Sequence, residues 1–212
     1  MALELLEEEL LEQLDEAHAI ILKLESDIET ESELYDRFAE EEARVQREIN
    51  SAVAALQRQQ EEERRRAQAQ QGSSGGSGSG GGGGSVSGTG QFTWPINGSV
   101  VSRFGENRGN GRIHLGLDIG AAHGANVVAA DSGTVITTRY NEGGLGYYVV
   151  VSHGNGLTTL YGHLSSYAVS VGDNVSKGQL VGYNGSTGNA TTPHVHFEVS
   201  VNGTRIDPAT KL

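Results

Sequence analysis

No glycine and no proline occurs between Met1 and Gln71, although the chain holds 31 glycines and three prolines. Every residue type that readily breaks a helix therefore lies in the remaining two thirds. Within residues 1–71 Glu, Leu, Ala, Gln and Arg dominate, all good helix formers. Apolar side chains recur at Leu10, Leu14, Ala17, Ile21, Leu24, Ile28, Tyr35, Phe38, Val45, Ile49, Ala52 and Leu56. Their spacing alternates four and three in one phase, with Glu31 and Glu42 as polar interruptions, which is the pattern of a coiled coil. A continuous helix of this length would extend about 105 Å at ~1.5 Å per residue. It cannot bury its own stripe, so a partner helix is expected. The unbroken phase and the lack of turn residues favour one continuous helix over a hairpin near the polar run ESDIETESE.

Residues 72–90, GSSGGSGSGGGGGSVSGTG, are Gly or Ser at 17 of 19 positions. Such a run is a flexible tether with an r.m.s. reach of roughly 25 Å. It is expected to decouple the rod from the C-terminal region. From residue 91 onward short β-branched or aromatic runs recur between turn signals: SVVSRF, NVVAA, GTVITTRY, YYVVVSH, LTTLYGH, QLVGYN and VHFEVSV. These predict an all-β domain over 91–212, with YYVVVSH-GNG-LTTLYGH as a hairpin.

Charge obeys the same division. The net charge of −12 sits wholly in residues 1–71, and the remainder balances seven acidic against seven basic side chains. No basic patch points to nucleic acid. No apolar window is long enough for a transmembrane helix, and the N-terminus lacks the pattern of a secretory signal. The chain has no cysteine, which excludes a disulfide framework and thiolate chemistry.

Six of the seven histidines lie in the β region. In GRIHLGLDIG, positions 114, 116 and 118 of an extended strand share one face, with Gly116 leaving room between His114 and Asp118. In TTPHVHFEVS, His194 and His196 likewise point one way. His163 closes the run LYGH. A His-Asp-His set with an open fourth position suits a catalytic zinc, which acidifies water toward pH ~7. Two further imidazoles suit proton transfer and oxyanion stabilisation. His18 reads as a solvated helix residue, and His123 and His153, flanked by glycine, as surface turn residues.

HLGLDIG, GTV, LYGHLS, VGDNVSKGQLVGYNGSTGN, PHVHFEV and NGTRIDP succeed one another in the order of lysostaphin-type (LytM-type) zinc metallopeptidases, which residues 92–212 resemble. The resemblance implies a mostly antiparallel β domain with a groove over one zinc ion, cutting peptides of bacterial peptidoglycan. It implies His114, Asp118 and His196 as zinc ligands, and His163 and His194 as catalytic histidines that do not bind metal. Tyr140 corresponds to a residue near the oxyanion site in some relatives. ATTPHVHF departs from the Ser-Thr-Gly that many relatives carry before Pro-His, which bears on substrate preference.

A coiled coil ahead of such a domain resembles EnvC-like envelope proteins. That implies a coiled-coil partner, either a second copy or a cell-division or envelope protein, and work outside the cytoplasmic membrane after export. A non-catalytic activator of another hydrolase is the alternative function, and the complete ligand set speaks against it. The run VGDNVSKGQLVGYNGSTG also resembles carrier domains modified on lysine, but Lys177 lies where carriers are not modified. The rod is further expected to regulate the groove through the tether.

Overall fold

The computed structural model describes residues 2–71, 88–109 and 111–212, so most of the expected tether lies outside the described residues. One long helix, α1 (Ala2–Gln71), precedes the strands. These are β1 (Ser99–Ser102), β2 (Asn107–Gly109), β3 (Arg112–Ile113), β4 (Leu117–Gly120), β5 (Asn126–Val128) and β6 (Gly133–Asn141). Next come β7 (Gly146–Gly154), β8 (Leu157–Tyr167), β9 (Asn174–Val175), β10 (Leu180–Asn184), β11 (His194–Val201) and β12 (Thr204–Ile206). A 3-10 turn, Pro208–Thr210, lies near the C-terminal end.

Chain contacts separate two compact units, residues 1–44 and 45–212. In the first, α1 carries the Arg44–Glu41 ion pair on its surface. The stripe positions from Leu10 to Phe38, apart from the exposed Ile21, lie outside the described side chains. A coiled-coil seam is not shown, because α1 is the one long helix among the described residues.

The second unit is built on a sheet in the order β1-β4-β11-β8-β7-β6-β9, with β10 beside β5 and β8, and β12 beside β11. Every pairing is antiparallel. The expected hairpin is present as β7 and β8. Asn155 and Gly156 turn it with φ of 51° and 74°, the left-handed pair that matches the twist of the flanking strands.

Alternation divides this sheet into two faces. Leu117, Ile119, Val149, Val151, Tyr161, Val195, Phe197 and Val199 point into the main core. Their neighbours, Asp118, Tyr148, Val150, Leu160, His194, His196 and Glu198, point the other way, since adjacent strand residues take opposite faces. On that second face Tyr148, Val150 and Leu160 are capped by Val45 and Ile49 of α1, with Val53, Ile136 and Leu145 packed against the group. Arg139 pairs with Glu48 at its edge. Val45 and Ile49, each 4 % exposed, spend their stripe positions on the sheet. The reach of a tether does not set this contact; hydrophobic burial does.

Candidate metal centre

His114, Asp118 and His196 each bring one ligand atom into a group whose members lie within 4.8 Å of one another. His114 stands just before β4, held by its backbone: its N–H donates to the Glu106 carbonyl at 2.8 Å, and its carbonyl accepts from Gly105 at 2.8 Å. Asp118 is in β4 and pairs in register with His196 of β11. Gly116 is indispensable here for a different reason from the one its sequence position suggests. A Cβ on it would sit 2.7 Å from His196 Cε1 and 2.8 Å from Nε2. The free space is taken by the His196 ring.

The three donors are prepared for one centre. His114 Nδ1 lies 2.8 Å from the Arg103 carbonyl, which can only accept, so this nitrogen carries the proton and Nε2 keeps its lone pair. His196 Nε2 faces Glu198 Oε1 at 3.1 Å, which leaves Nδ1 as its donor atom. The free atoms converge: His196 Nδ1 is 2.8 Å from Asp118 Oδ1 and 3.1 Å from His114 Nε2. His114 Nε2 is 3.1 Å from the same Asp118 oxygen. Arg108 donates to the other Asp118 oxygen at 2.6 Å, so Oδ1 is the oxygen left for the centre. Two lone pairs and a carboxylate aimed at one point fit a zinc ion, with outer partners fixing each tautomer.

Burial works against ionising Asp118, yet hydrogen bonds and charge from His114 and His196 hold its carboxyl well below the usual range. Burial likewise opposes a proton on His196, but Asp118 and Glu198 raise it to about 9. At neutral pH a metal must therefore displace the proton that His196 Nδ1 shares with Asp118 before that nitrogen can act as a donor. Glu198, itself 3 % exposed, accepts from Arg205 Nε at 2.7 Å. Its pKa lies below the usual value because His196 and Arg205 outweigh burial.

His163 and His194 stand beside the cluster. Their ring centroids are 4.7 Å apart, and that of His163 is 5.8 Å from His196. Burial, then the charges of His196 and His194, push His163 down to about 3. Its Nδ1 is 2.9 Å from the Thr187 carbonyl, and His194 Nδ1 is 2.8 Å from that of Thr192. Both rings therefore present Nε2 as an acceptor. His163 is not at a strand end, as its sequence suggests, but inside β8 at an irregularity of register, with φ of 59°.

One sequence expectation changes. His153 is 1 % exposed, not a surface turn residue: Nδ1 lies 2.8 Å from the Ser132 carbonyl and Nε2 2.8 Å from Thr159 Oγ1. Tyr140 is exposed, its ring tilted against that of Tyr147 with centroids 4.6 Å apart. His123 is exposed, as expected. Arg108, Glu198, Arg205 and Thr187 carry no assignment from the sequence. Only Glu198 had a visible signal, its even spacing from His194 and His196 in one strand.

Residues 112–208 match the family model Peptidase family M23, which is zinc-dependent. The chain is 43% identical over 97 residues to the DD-carboxypeptidase/endopeptidase Mpg of Neisseria meningitidis, covering 46% of this chain and 22% of that protein. It is 38% identical over 119 residues to the murein hydrolase activator EnvC of Escherichia coli, covering 56% and 28%. The chain thus spans about a quarter of the length of the curated relatives it matches. Among solved structures, the catalytic domain of the antimicrobial peptidase lysostaphin from Staphylococcus simulans superposes with a TM-score of 0.50 at 34% identity, covering 53% of this chain and 90% of that one. With the cluster, its two neighbouring imidazoles and the antiparallel sheet beneath them, these likenesses place the chain in peptidase family M23, the LytM and lysostaphin type.

Proposed function

We propose that the protein is a zinc-dependent endopeptidase that hydrolyses peptide cross-links or stem peptides of bacterial peptidoglycan at the cell envelope or outside the cell. The observation that carries this reading is the complete His114, Asp118 and His196 donor set with two acceptor imidazoles beside it. One zinc ion held there would polarise the scissile carbonyl and acidify water. His163, neutral through burial, offers Nε2 to take the proton from the attacking water. His194 faces the same space and supports the oxyanion, and the proton then passes to the leaving amine. Arg108 keeps Asp118 oriented throughout, and Glu198 keeps Nδ1 of His196 on the donor side.

The EnvC likeness favours a second reading, an activator of another cell-wall hydrolase. The intact donor set supports the enzyme, because an activator has no use for it. The acidic helix would serve regulation and meet a second helix, of this chain or of an envelope partner, through the stripe before residue 45.

Digestion of purified peptidoglycan, with and without chelator and alongside His163→Ala, tests the reading. Release of new amino termini that chelator and the substitution both abolish is the expected result, and mass spectrometry of the termini identifies the bond. No chelator-sensitive release from any cell-wall type overturns it.

A further inference from the structure

We propose that Leu145 is a positioning residue for His163, and that the docked face of α1 holds Leu145 in place. The proposal rests on the reading of His163 as a catalytic residue.

His163 occupies a backbone conformation that a side chain seldom adopts, with φ of 59°. It lies where β7 and β8 fall out of register: Tyr147 pairs with Leu164, but Val149 pairs with Tyr161. Two residues of β8 thus fill a gap that one residue of β7 spans. Such a bulge re-aims a side chain, and its strain persists only where the surroundings over-determine it.

The surroundings here are one short segment and one threonine. The His163 N–H donates to the Leu145 carbonyl at 2.7 Å. Thr187 accepts His163 Nδ1–H on its carbonyl at 2.9 Å and donates its hydroxyl to the Leu164 carbonyl at 2.6 Å. Tyr147 N–H in turn donates to that hydroxyl at 3.0 Å. Leu145 to Tyr147 therefore grips the bulge on both sides.

What fixes this segment is hydrophobic. The Leu145 side chain packs against the cluster formed by Val45, Ile49, Tyr148, Val150 and Leu160, as do Val53 and Ile136. On its other side, Leu145 Cδ2 lies 3.2 Å from the point a Cβ on Gly162 would occupy. Gly162 is the residue before His163 and pairs with His196. Leu145 thus sits between the helix-capped cluster and the peptide that carries the imidazole. Val45 and Ile49 supply the cap, and a second amphipathic helix that took them into a coiled-coil seam would remove it.

The test uses the full chain loaded with zinc, with Ile49→Glu to undock the helix, Leu145→Ala to empty the wedge and Leu145→Met to refill it. The hydrogen exchange of the His163 amide and its ring carbon shift are monitored by NMR, beside zinc affinity and the kinetics of peptidoglycan cleavage. Ile49→Glu and Leu145→Ala are expected to speed His163 amide exchange and to lower kcat by about tenfold or more, the scale of a misplaced catalytic group. KM and zinc affinity stay near wild type, and Leu145→Met restores both readouts. Unchanged His163 exchange and ring shift in Leu145→Ala overturn the proposal. So does unchanged exchange in Ile49→Glu once the Val45 and Val53 methyl signals report exposure. Should the wild type cleave nothing, the enzyme reading fails while the exchange data still decide the positioning role.

Discussion

Each histidine of the cluster is told which nitrogen to offer by the acceptor at its other one. For His196 that acceptor is a buried carboxylate, and Arg205 holds the carboxylate in turn. Glu198→Gln keeps the shape but weakens the acceptor, so zinc affinity measured by titration should fall by about 10–100-fold. An unchanged affinity would show that the sheet alone orients the ring. Spacing set His114 beside Asp118 and His194 beside His196, since alternate residues of a strand share a face. The choice of His196 over His194 as a donor came from the resemblance to lysostaphin-type peptidases; Glu198 continues the series His194, His196. Arg108 was not legible, because the bond from β2 to β4 is made only when the chain closes on itself. His153 misleads for a local reason: the turn begins two residues later, at Asn155, and the ring belongs to the strand. Burial pushes His153 below its ordinary value, so it stays neutral in the native state while the unfolded chain takes up a proton below pH ~6.5. The unfolded state then binds more protons, so this contribution is full above that pH and is lost as pH falls toward the folded value. Urea midpoints at pH 7 and pH 5 should therefore diverge more for the wild type than for His153→Gln, and equal losses would refute the assignment.

The elements of the β domain were visible as runs of β-branched residues, and the hairpin of β7 and β8 as two alternating runs around Gly-Asn-Gly. The bulge between them was not. One extra residue in β8 costs nothing in composition and shows only in the register against β7. Its support includes Gly146, with φ of 61°, where a Cβ would lie 2.2 Å from Thr187 Oγ1 and 2.4 Å from the Thr187 carbonyl carbon. Gly146→Ala must move Thr187 or open the strand end, beyond a backbone cost of roughly 1–3 kcal/mol for the left-handed conformation alone. Chemical denaturation should show at least that loss, accompanied by weaker cleavage through the released His163. A variant as stable as wild type would mean that the Thr187 loop yields freely, and the clasp around the bulge would then have no rigidity to lend.

At the scale of the whole molecule, the apolar stripe of α1 announced that it would be buried without saying against what. A heptad pattern is satisfied equally by a second helix or by any flat apolar surface of matching width, and at Val45 and Ile49 the surface is the sheet. The sheet also carried a signal of this: β7 reads YYVVVSH, apolar at successive positions, which fits a strand covered on both faces rather than one. Burying a side chain the size of Val or Ile contributes about 1.5–3 kcal/mol, and Tyr148, Val150 and Leu160 lose their cover as well if the helix is absent. A chain of residues 45–212, the compact unit, should therefore unfold at nearly the same urea concentration as the full chain. A chain of residues 88–212 should be less stable by about 3 kcal/mol or more on the same scale, and should bind a hydrophobic dye through the uncovered face. Equal midpoints for the two shortened chains would show that the helix rests on the sheet without stabilising it, and would free Val45 and Ile49 for a coiled-coil partner. A gap of the expected size means that any such partner must first overcome the sheet.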